Sequence, residues 1–511
     1  MAAIAPSNPV APVSRWLPVG LAAVAILARI PFVTHQPLAW DAVQFTLGVL
    51  HLNIALHEPH APGYYVYIRL GQLLHLLGFT PYGALVAISV AAGGVMTGVL
   101  SWWAGKLAGR TAALATGLLC MVSPLAWWMS GIGLTYGPSG CFSALVGYAC
   151  WRLYTRPGER VWWAALALGV AGGFRPQDAI LLFPLWLYCV TRQGRKPALA
   201  ALLLFAALTA TWLTSLLLSH AGLFAGGGAH APNGAVVAYA KGVWSFIPIG
   251  GHWSWLRQNV TYFGLSAPMM LMVAWFFVPF ARGTELTRRS TFLLLWLAPG
   301  AGFFLLRHMG GMGYNMLLFP GAALLAGVGV ARLARRLEPA QTAMFFVVVA
   351  GLMAFFTYQT VYLDQRHTEH DMAELAAACR PYAGPESLLL STTSVNELKP
   401  EQERPVLVYR YAMWLVPEIQ VLRFPLEGSA AAGGPNQGYH LQSAVVAVPY
   451  RVTGIRHLLL TDEVLLADLP PGAPARQLAR NFLGVVYEVE LDPSVPVIVG
   501  PGEKLQMKPA G

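Results

Sequence analysis

Stretches of about 20 predominantly apolar residues, the length that crosses the hydrocarbon core of a bilayer, recur through the first 363 positions of this chain. The first is "WLPVGLAAVAILARIPFVT" from Trp16. Others cover 81–104, 111–131, 138–155, 161–174, 177–191, 197–219, 260–281, 290–306, 315–331 and 341–362, making about eleven spans in all. Only 11% of the 511 residues are charged, against roughly 25% in a soluble domain. A polytopic membrane protein is therefore expected. The segment before Trp16 has Arg15 but no small-residue cleavage pattern, so the first span is read as a retained helix.

The basic residues fall in alternate connections. Lys106 and Arg110, then Arg152, Arg156 and Arg160, then Arg192, Arg195 and Lys196, then Arg282, Arg288 and Arg289, then Arg332, Arg335 and Arg336 mark every second one. The positive-inside rule places these connections and the N-terminus in the cytoplasm. The intervening loops, about 35–80, 220–259 and 307–314, and everything beyond the last span then lie outside. Residues 161–191 are either two short spans or one kinked or re-entrant unit. The net charge of +10 belongs to topology and anionic headgroups, and no nucleic-acid partner is implied. Cys120, Cys141, Cys150 and Cys189 sit in spans and Cys379 alone lies outside them. The outer region thus has no internal disulfide and no zinc spacing.

From Asp364 the composition changes. Charges, prolines and glycines return around short apolar runs at 387–392, 406–409, 444–448, 457–461 and 484–491, which read as strands. "EHDMAELAAACRPY" and "PPGAPARQLARNFLG" read as helices. The expected architecture is a mainly α membrane domain, 1–363, followed by a small extracytoplasmic α/β domain, 364–511.

The first outer loop carries more chemistry than a connector needs. "LAWDAVQFTLGVLHLNIALHEPHAPGYYVYI" holds Asp41, then His57, Glu58 and His60, and ends in an aromatic cluster from Tyr64. "YYVYIRLGQLLHLLG" has the length and pattern of an amphipathic helix lying in the membrane interface. A carboxylate near lipid is costly without a partner or a task. Asp41 reads either as a general base or as a helix cap. Arg307 and His308 end a span beside the turn "GGMG". They suit a phosphate, through the planar fork of the guanidinium, or a lipid headgroup. Arg175 in "GGFRPQD" stands between short helices, with either a phosphate or Asp178 as partner. His57 and His60 are candidates to orient Asp41 or touch substrate, and two histidines without a third ligand do not define a zinc site.

An acidic residue just after the first span, followed by a His-Pro-like element running into aromatics, resembles the first external loop of GT-C glycosyltransferases. The group includes the protein O-mannosyltransferases and the lipid A aminoarabinose transferase. Asp41 and "HEPHAPGYYVY" carry the likeness, with His57 or His60 in the histidine place and Pro62, Gly63 and Tyr64 as the Pro-Gly-Tyr form. "GGFRPQDAILLFPLW", "RHMGGMGYNMLLFP" and "YRYAMWLVPEIQV" are similar to further stretches of the superfamily.

The resemblance implies a membrane glycosyltransferase. Its donor would be a polyprenyl-phosphate sugar and its acceptor a hydroxyl of a glycan, lipid or protein at the outer face. Asp41 takes the role of general base, which implies inversion. Arg307, His308 and Arg175 would bind the donor phosphate, and His57, Glu58, His60, Tyr64 and Tyr314 would bind substrate or orient the base. Asp41 lacks the neighbouring acid of the metal-dependent branch, so no metal or other cofactor is expected. The expected location is the bacterial inner membrane, with the C-terminal domain periplasmic or extracellular. The competing class is a transporter or flippase of an envelope precursor, which would show ionisable groups within several spans and related sequence halves.

Overall fold

The computed structural model describes residues 13–52, 58–60, 62–219, 257, 260–261, 278–306, 311–392, 414–424, 450–461, 463–469, 473–481, 483–499 and 507. Its principal helices are α1 (Trp16–Arg29), α2 (Trp40–Leu50), α3 (Tyr65–Leu76), α4 (Pro81–Ala108), α5 (Arg110–Val122), α6 (Pro124–Gly131) and α7 (Tyr136–Thr155). They continue as α8 (Trp162–Phe174), α9 (Pro176–Thr191), α10 (Arg195–Ser219), α11 (Ser290–Leu306), α12 (Phe319–Ala334), α13 (Pro339–Thr357) and α14 (Leu363–Cys379). The strands are β1 (Ser387–Thr392), β2 (Gln420–Phe424), β3 (Tyr450–Val452), β4 (His457–Leu460), β5 (Ala475–Asn481), β6 (Gly484–Glu490) and β7 (Val497–Val499).

The chain divides into two compact units. One holds Met1–Thr34, Tyr64–Ser219 and Ala240–Leu363; the other holds His35–Gly63, His220–Tyr239 and Asp364–Gly511.

In the helical unit, α4 is central and packs against α1, α5, α7 and α12. Gly94 permits the close approach of α1, because a Cβ there would lie 2.4 Å from Ile26 Cγ1. Of the most apolar stretch of α4, 67% is buried, against 11% for α10 and 12% for α13. The last two present their apolar sides outward, as lipid-facing helices do.

Among the described residues α4, α10 and α13 are each long and apolar enough to cross a membrane, and α5 with α6 makes a fourth if that bent pair is one span. The sequence reading of about eleven spans, which already included short ones at 161–174 and 177–191, meets a broken helical pattern. α8 has 13 residues and α9 has 16. The proposed span at 260–281 lies outside the described residues except for 260–261 and 278–281. Proline causes several of the breaks, since it removes a donor and disfavours helix in the residue before it: Pro124 opens α6 and Pro176 opens α9.

The break between α5 and α6, a bend of 60°, shows how a freed backbone group is satisfied where there is no water. Continued helix would have the Cys120 carbonyl accept from the N–H of residue 124, but that residue is proline. Arg29, at the end of α1 and 1% exposed, supplies the donor instead. Its Nη2 reaches the Cys120 oxygen at 2.9 Å and its Nη1 the Ala25 oxygen at 2.7 Å. The guanidinium lies 5.3 Å from the Trp127 ring centroid. Thr357 Oγ1 donates to the Val122 carbonyl at 3.0 Å in the same break.

The other unit is a mixed α/β fold. Its five-stranded sheet runs β2-β1-β4-β6-β5, with β1 parallel to β2 and β4 and with β6 antiparallel to β4 and β5; β3 and β7 form a separate antiparallel pair. Side chains alternate across the pleat. Leu389 and Leu459 enter one core with Met372, Leu375 and Cys379 of α14, while Leu388, Leu390, Leu458 and Leu460 enter the other. Burial pushes the Cys379 thiol up to about 12, consistent with a packing role. All five cysteines are free and buried.

The strands expected around 387–392, 457–461 and 484–491 are present, as is the helix in "EHDMAELAAACRPY". Those expected at 406–409 and 444–448 lie outside the described residues. One expectation is corrected: "PPGAPARQLARNFLG" contains β5, not a helix. Its Ala, Arg, Gln and Leu favour helix locally, but pairing to the edge of β6, with an irregularity between Gln477 and Ala479, prevails.

The Arg29 link predicts a coupling. Arg29→Met should destabilise the protein by about 1–3 kcal/mol, the cost of a stranded buried acceptor. The cost should be smaller in a Pro124→Ala background, where residue 124 regains its N–H. Unfolding of the four proteins of this cycle in detergent micelles measures the coupling, and equal costs in both backgrounds would rule the carbonyl link out.

Candidate active site

Asp41 lies in the first turn of α2, behind Ala39, which has extended backbone and no capping side chain. It is thus inside the helix rather than at the N-cap, in a turn where the helix dipole favours negative charge. Asp41, Phe45 and Gly48 follow one another at spacings that share a helix face. The segment Glu58–His60 folds onto this face. The His60 ring centroid is 5.3 Å from that of Phe45, and His60 Nδ1 is 3.8 Å from Asp41 Oδ1, an ion-pair contact longer than a hydrogen bond. The Asp41 side chain is 41% exposed and that of His60 19%. The carboxylate is open to an incoming group while the imidazole beside it is largely covered. Glu58 is buried, and the Glu58-Pro59 bond is cis.

Gly48 makes this contact sterically possible. A Cβ at that position would meet Pro59 Cδ and N at 2.9 Å. The helix itself is anchored because Val43 and Leu47 enter the core formed with α14 and the sheet. The backbone N–H groups of His35 and Gln36 donate to Glu369 of α14, and Trp414 Nε1 donates to Gln36 Oε1 at 3.1 Å.

A second cluster forms within the helical unit. Pro176 restricts the residue before it to extended backbone, and Arg175 accordingly leaves the helix at φ −154°, ψ 100°. Arg175 is buried, and its guanidinium lies 4.6 Å from the Tyr136 ring centroid and 4.5 Å from that of Tyr314. Its Nε donates to Gln177 Oε1 at 3.3 Å and is 3.7 Å from Asp178 Oδ1. Tyr64 is another electrostatic neighbour of Arg175. It is buried and holds left-handed backbone, φ 43°, ψ 45°, directly before α3. Such a conformation strains a non-glycine residue and persists only where its surroundings enforce it. Two aromatic faces and a carboxylate suit a guanidinium withdrawn from water.

The structure therefore brings together Asp41 and His60 in one unit, with Glu58 on the same segment as His60, and Arg175, Tyr64 and Tyr314 in the other. His57, Arg307 and His308 lie outside the described residues. Sequence reasoning missed Tyr136, Gln177 and Phe45. The available signals were the stretch "TYGPSG" between apolar segments, the polar residue directly after Pro176, and the aromatic one helical turn beyond Asp41. Among the described residues no group of three or more His, Cys, Asp or Glu side chains is arranged to hold a metal ion.

Gly48→Ala should lower stability by about 1–3 kcal/mol, the usual cost of overpacking, because Pro59 must move. Gly20→Ala, on α1 with nothing within 4 Å of the added carbon, should be neutral or stabilising. Thermal unfolding of both variants checks the difference, and an unperturbed Gly48→Ala would refute the close packing of this loop.

Neither a family model nor a curated protein sequence matches the chain. Solved structures do. Crystal structures of ArnT from Cupriavidus metallidurans are similar over 93% of this chain and 97% of theirs at 14% identity, with TM-scores of 0.59 for the form bound to undecaprenyl phosphate and 0.55 for the apo form. The apo oligosaccharyltransferase of Archaeoglobus fulgidus is matched more distantly, at 12% identity and a TM-score of 0.45, over 87% of this chain and 69% of that one. The chain thus has the fold of ArnT, and among its described residues at least three helices are long and apolar enough to cross a membrane.

Proposed function

We propose that this protein transfers a sugar from a polyprenyl-phosphate donor to an acceptor hydroxyl at the outer face of a bacterial inner membrane. The observation that carries the reading is an exposed carboxylate, Asp41, set against His60 in a chain whose fold follows that of ArnT, crystallised with undecaprenyl phosphate, almost end to end.

In this reaction Asp41 takes the proton of the acceptor hydroxyl as its oxygen attacks the anomeric carbon. The bond from that carbon to the phosphate oxygen breaks, and polyprenyl phosphate departs with the negative charge. Attack from the face opposite the leaving group inverts the anomeric centre. His60, whose Nδ1 lies 3.8 Å from Asp41 Oδ1, positions the carboxylate. The departing phosphate needs fixed positive charge. Arg175 is a described cation suited to it: its contacts with Gln177 and Asp178 run through Nε, and a guanidinium can take a phosphate through its Nη edge. Arg307 and His308 complete this role in the proposal, with His57, Tyr64 and Tyr314 toward substrate.

The reaction as proposed uses no metal. About eleven spans, a cytoplasmic N-terminus and an outer domain from residue 364 complete the topology.

Asp41→Asn retains shape and loses basicity. It should insert normally, bind donor lipid and lower product formation by at least about a hundredfold. The assay follows transfer from polyprenyl-phosphate sugars extracted from the producing cells. A near wild-type rate would remove Asp41 as base, and loss of wild-type turnover under chelation would remove metal independence. Topology has its own check: a reporter fused after Thr368 should be active only outside the cytoplasm and one after Arg289 only inside, and an inside signal at Thr368 would put the site on the wrong face.

A further inference from the structure

Away from both clusters, the helical unit has an open groove of about 440 Å³ between α1, α4 and α7. Its length is aliphatic: Pro18, Val19 and Ala22 from α1 face Val95, Gly98 and Val99 from α4. Val19 and Val95 are 56% and 43% exposed, so the walls stand open rather than packed. One end differs. There Arg15 and Trp102 line the groove, and Tyr148 accepts a hydrogen bond from Trp102 Nε1 at 2.8 Å. Lys106 Nζ sits 4.4 Å from the Trp102 ring centroid, which places a second cation at the end that holds Arg15. From Arg15 to Ala22 on α1, and from Trp102 back to Val95 on α4, the groove spans two helical turns, roughly 10 Å.

We propose that this groove binds an anionic phospholipid, with one acyl chain along the aliphatic walls and the phosphate at Arg15 and Lys106. Charge complementarity selects this occupant. A neutral apolar partner gains nothing from two cations at one end of an apolar groove, whereas a lipid couples an apolar chain to an anionic head. Trp102 and Tyr148 suit the boundary between the two, because amphipathic rings belong at the depth where acyl chain gives way to headgroup. Arg and Lys there extend toward phosphate while their stems cover apolar surface. The site is independent of the glycosyl-transfer reading, since none of its residues belongs to either cluster above.

The test is native mass spectrometry of the full-length protein in detergent, titrated with phosphatidylglycerol or with phosphatidylcholine of identical acyl chains. Phosphatidylglycerol should bind roughly tenfold tighter, the scale set by basic side chains beside anionic lipid. Arg15→Gln with Lys106→Gln, both surface changes, should erase the preference. Val95→Trp should weaken both lipids alike by filling the groove while the protein elutes as the same species. If that variant does not fold, the charge pair decides alone. Equal binding of the two lipids to the wild type would overturn the proposal, as would a preference that survives the double charge change. Displacement of phosphatidylglycerol by stoichiometric undecaprenyl phosphate would also overturn it, making the groove a seat for a polyprenyl tail.

Discussion

Hydrocarbon offers no hydrogen bonds, so every carbonyl released by a bend in a membrane helix must find a donor inside the protein. Pro124 breaks α5 from α6, and the carbonyls of Cys120 and Val122 are taken by Arg29 and Thr357 from elsewhere in the chain. Thr34 extends the pattern at the end of α6, where its N–H and hydroxyl both donate to the Gly131 carbonyl. The buried cation on α1 thus answers a proline that stands 95 positions further on (124 − 29). The same kind of break at Pro176 ends α8, opens α9, and leaves Arg175 in extended backbone between them.

The polar chemistry is built separately in each unit. Asp41 stands on a helix whose apolar residues are held by the α/β core, so its position follows from Val43, Leu47 and the sheet beneath them. Arg175 stands where two short helices meet, between rings supplied by the start of α7 and by the turn before α12. Each arrangement holds a charged group against fixed neighbours: His60 beside Asp41, and two aromatic rings with Asp178 around Arg175.

Some of this was legible before the structure. Residue type and context singled out Asp41, His60 and Arg175 because charge is costly among apolar spans, and the resemblance to a known family added Tyr64 and Tyr314 as candidates. The strands at 387–392, 457–461 and 484–491 announced themselves by short apolar runs between turn residues. The strand at Ala475–Asn481 did not, because its composition favours helix and only the edge of β6, contributed after it in the chain, makes extension preferable. Tyr136 and Phe45 were silent too: an aromatic in an apolar context is ordinary until its neighbour is known.

The sequence by itself determined the medium and the carriers of charge. Apolar stretches near membrane length point the chain to a bilayer, and proline positions say where helices stop. These are local or one-dimensional properties, settled by composition and by the chain's own backbone. Tertiary structure alone decided which groups meet. The pairing of Asp41 with His60 requires a loop seated on Gly48, and the hydrogen bond from Arg29 to Cys120 spans 91 positions. The Tyr136 and Tyr314 rings converge on Arg175 only once three separate elements have packed. Such contacts depend on distances between residues far apart in the chain, and no periodicity or propensity within a segment encodes them.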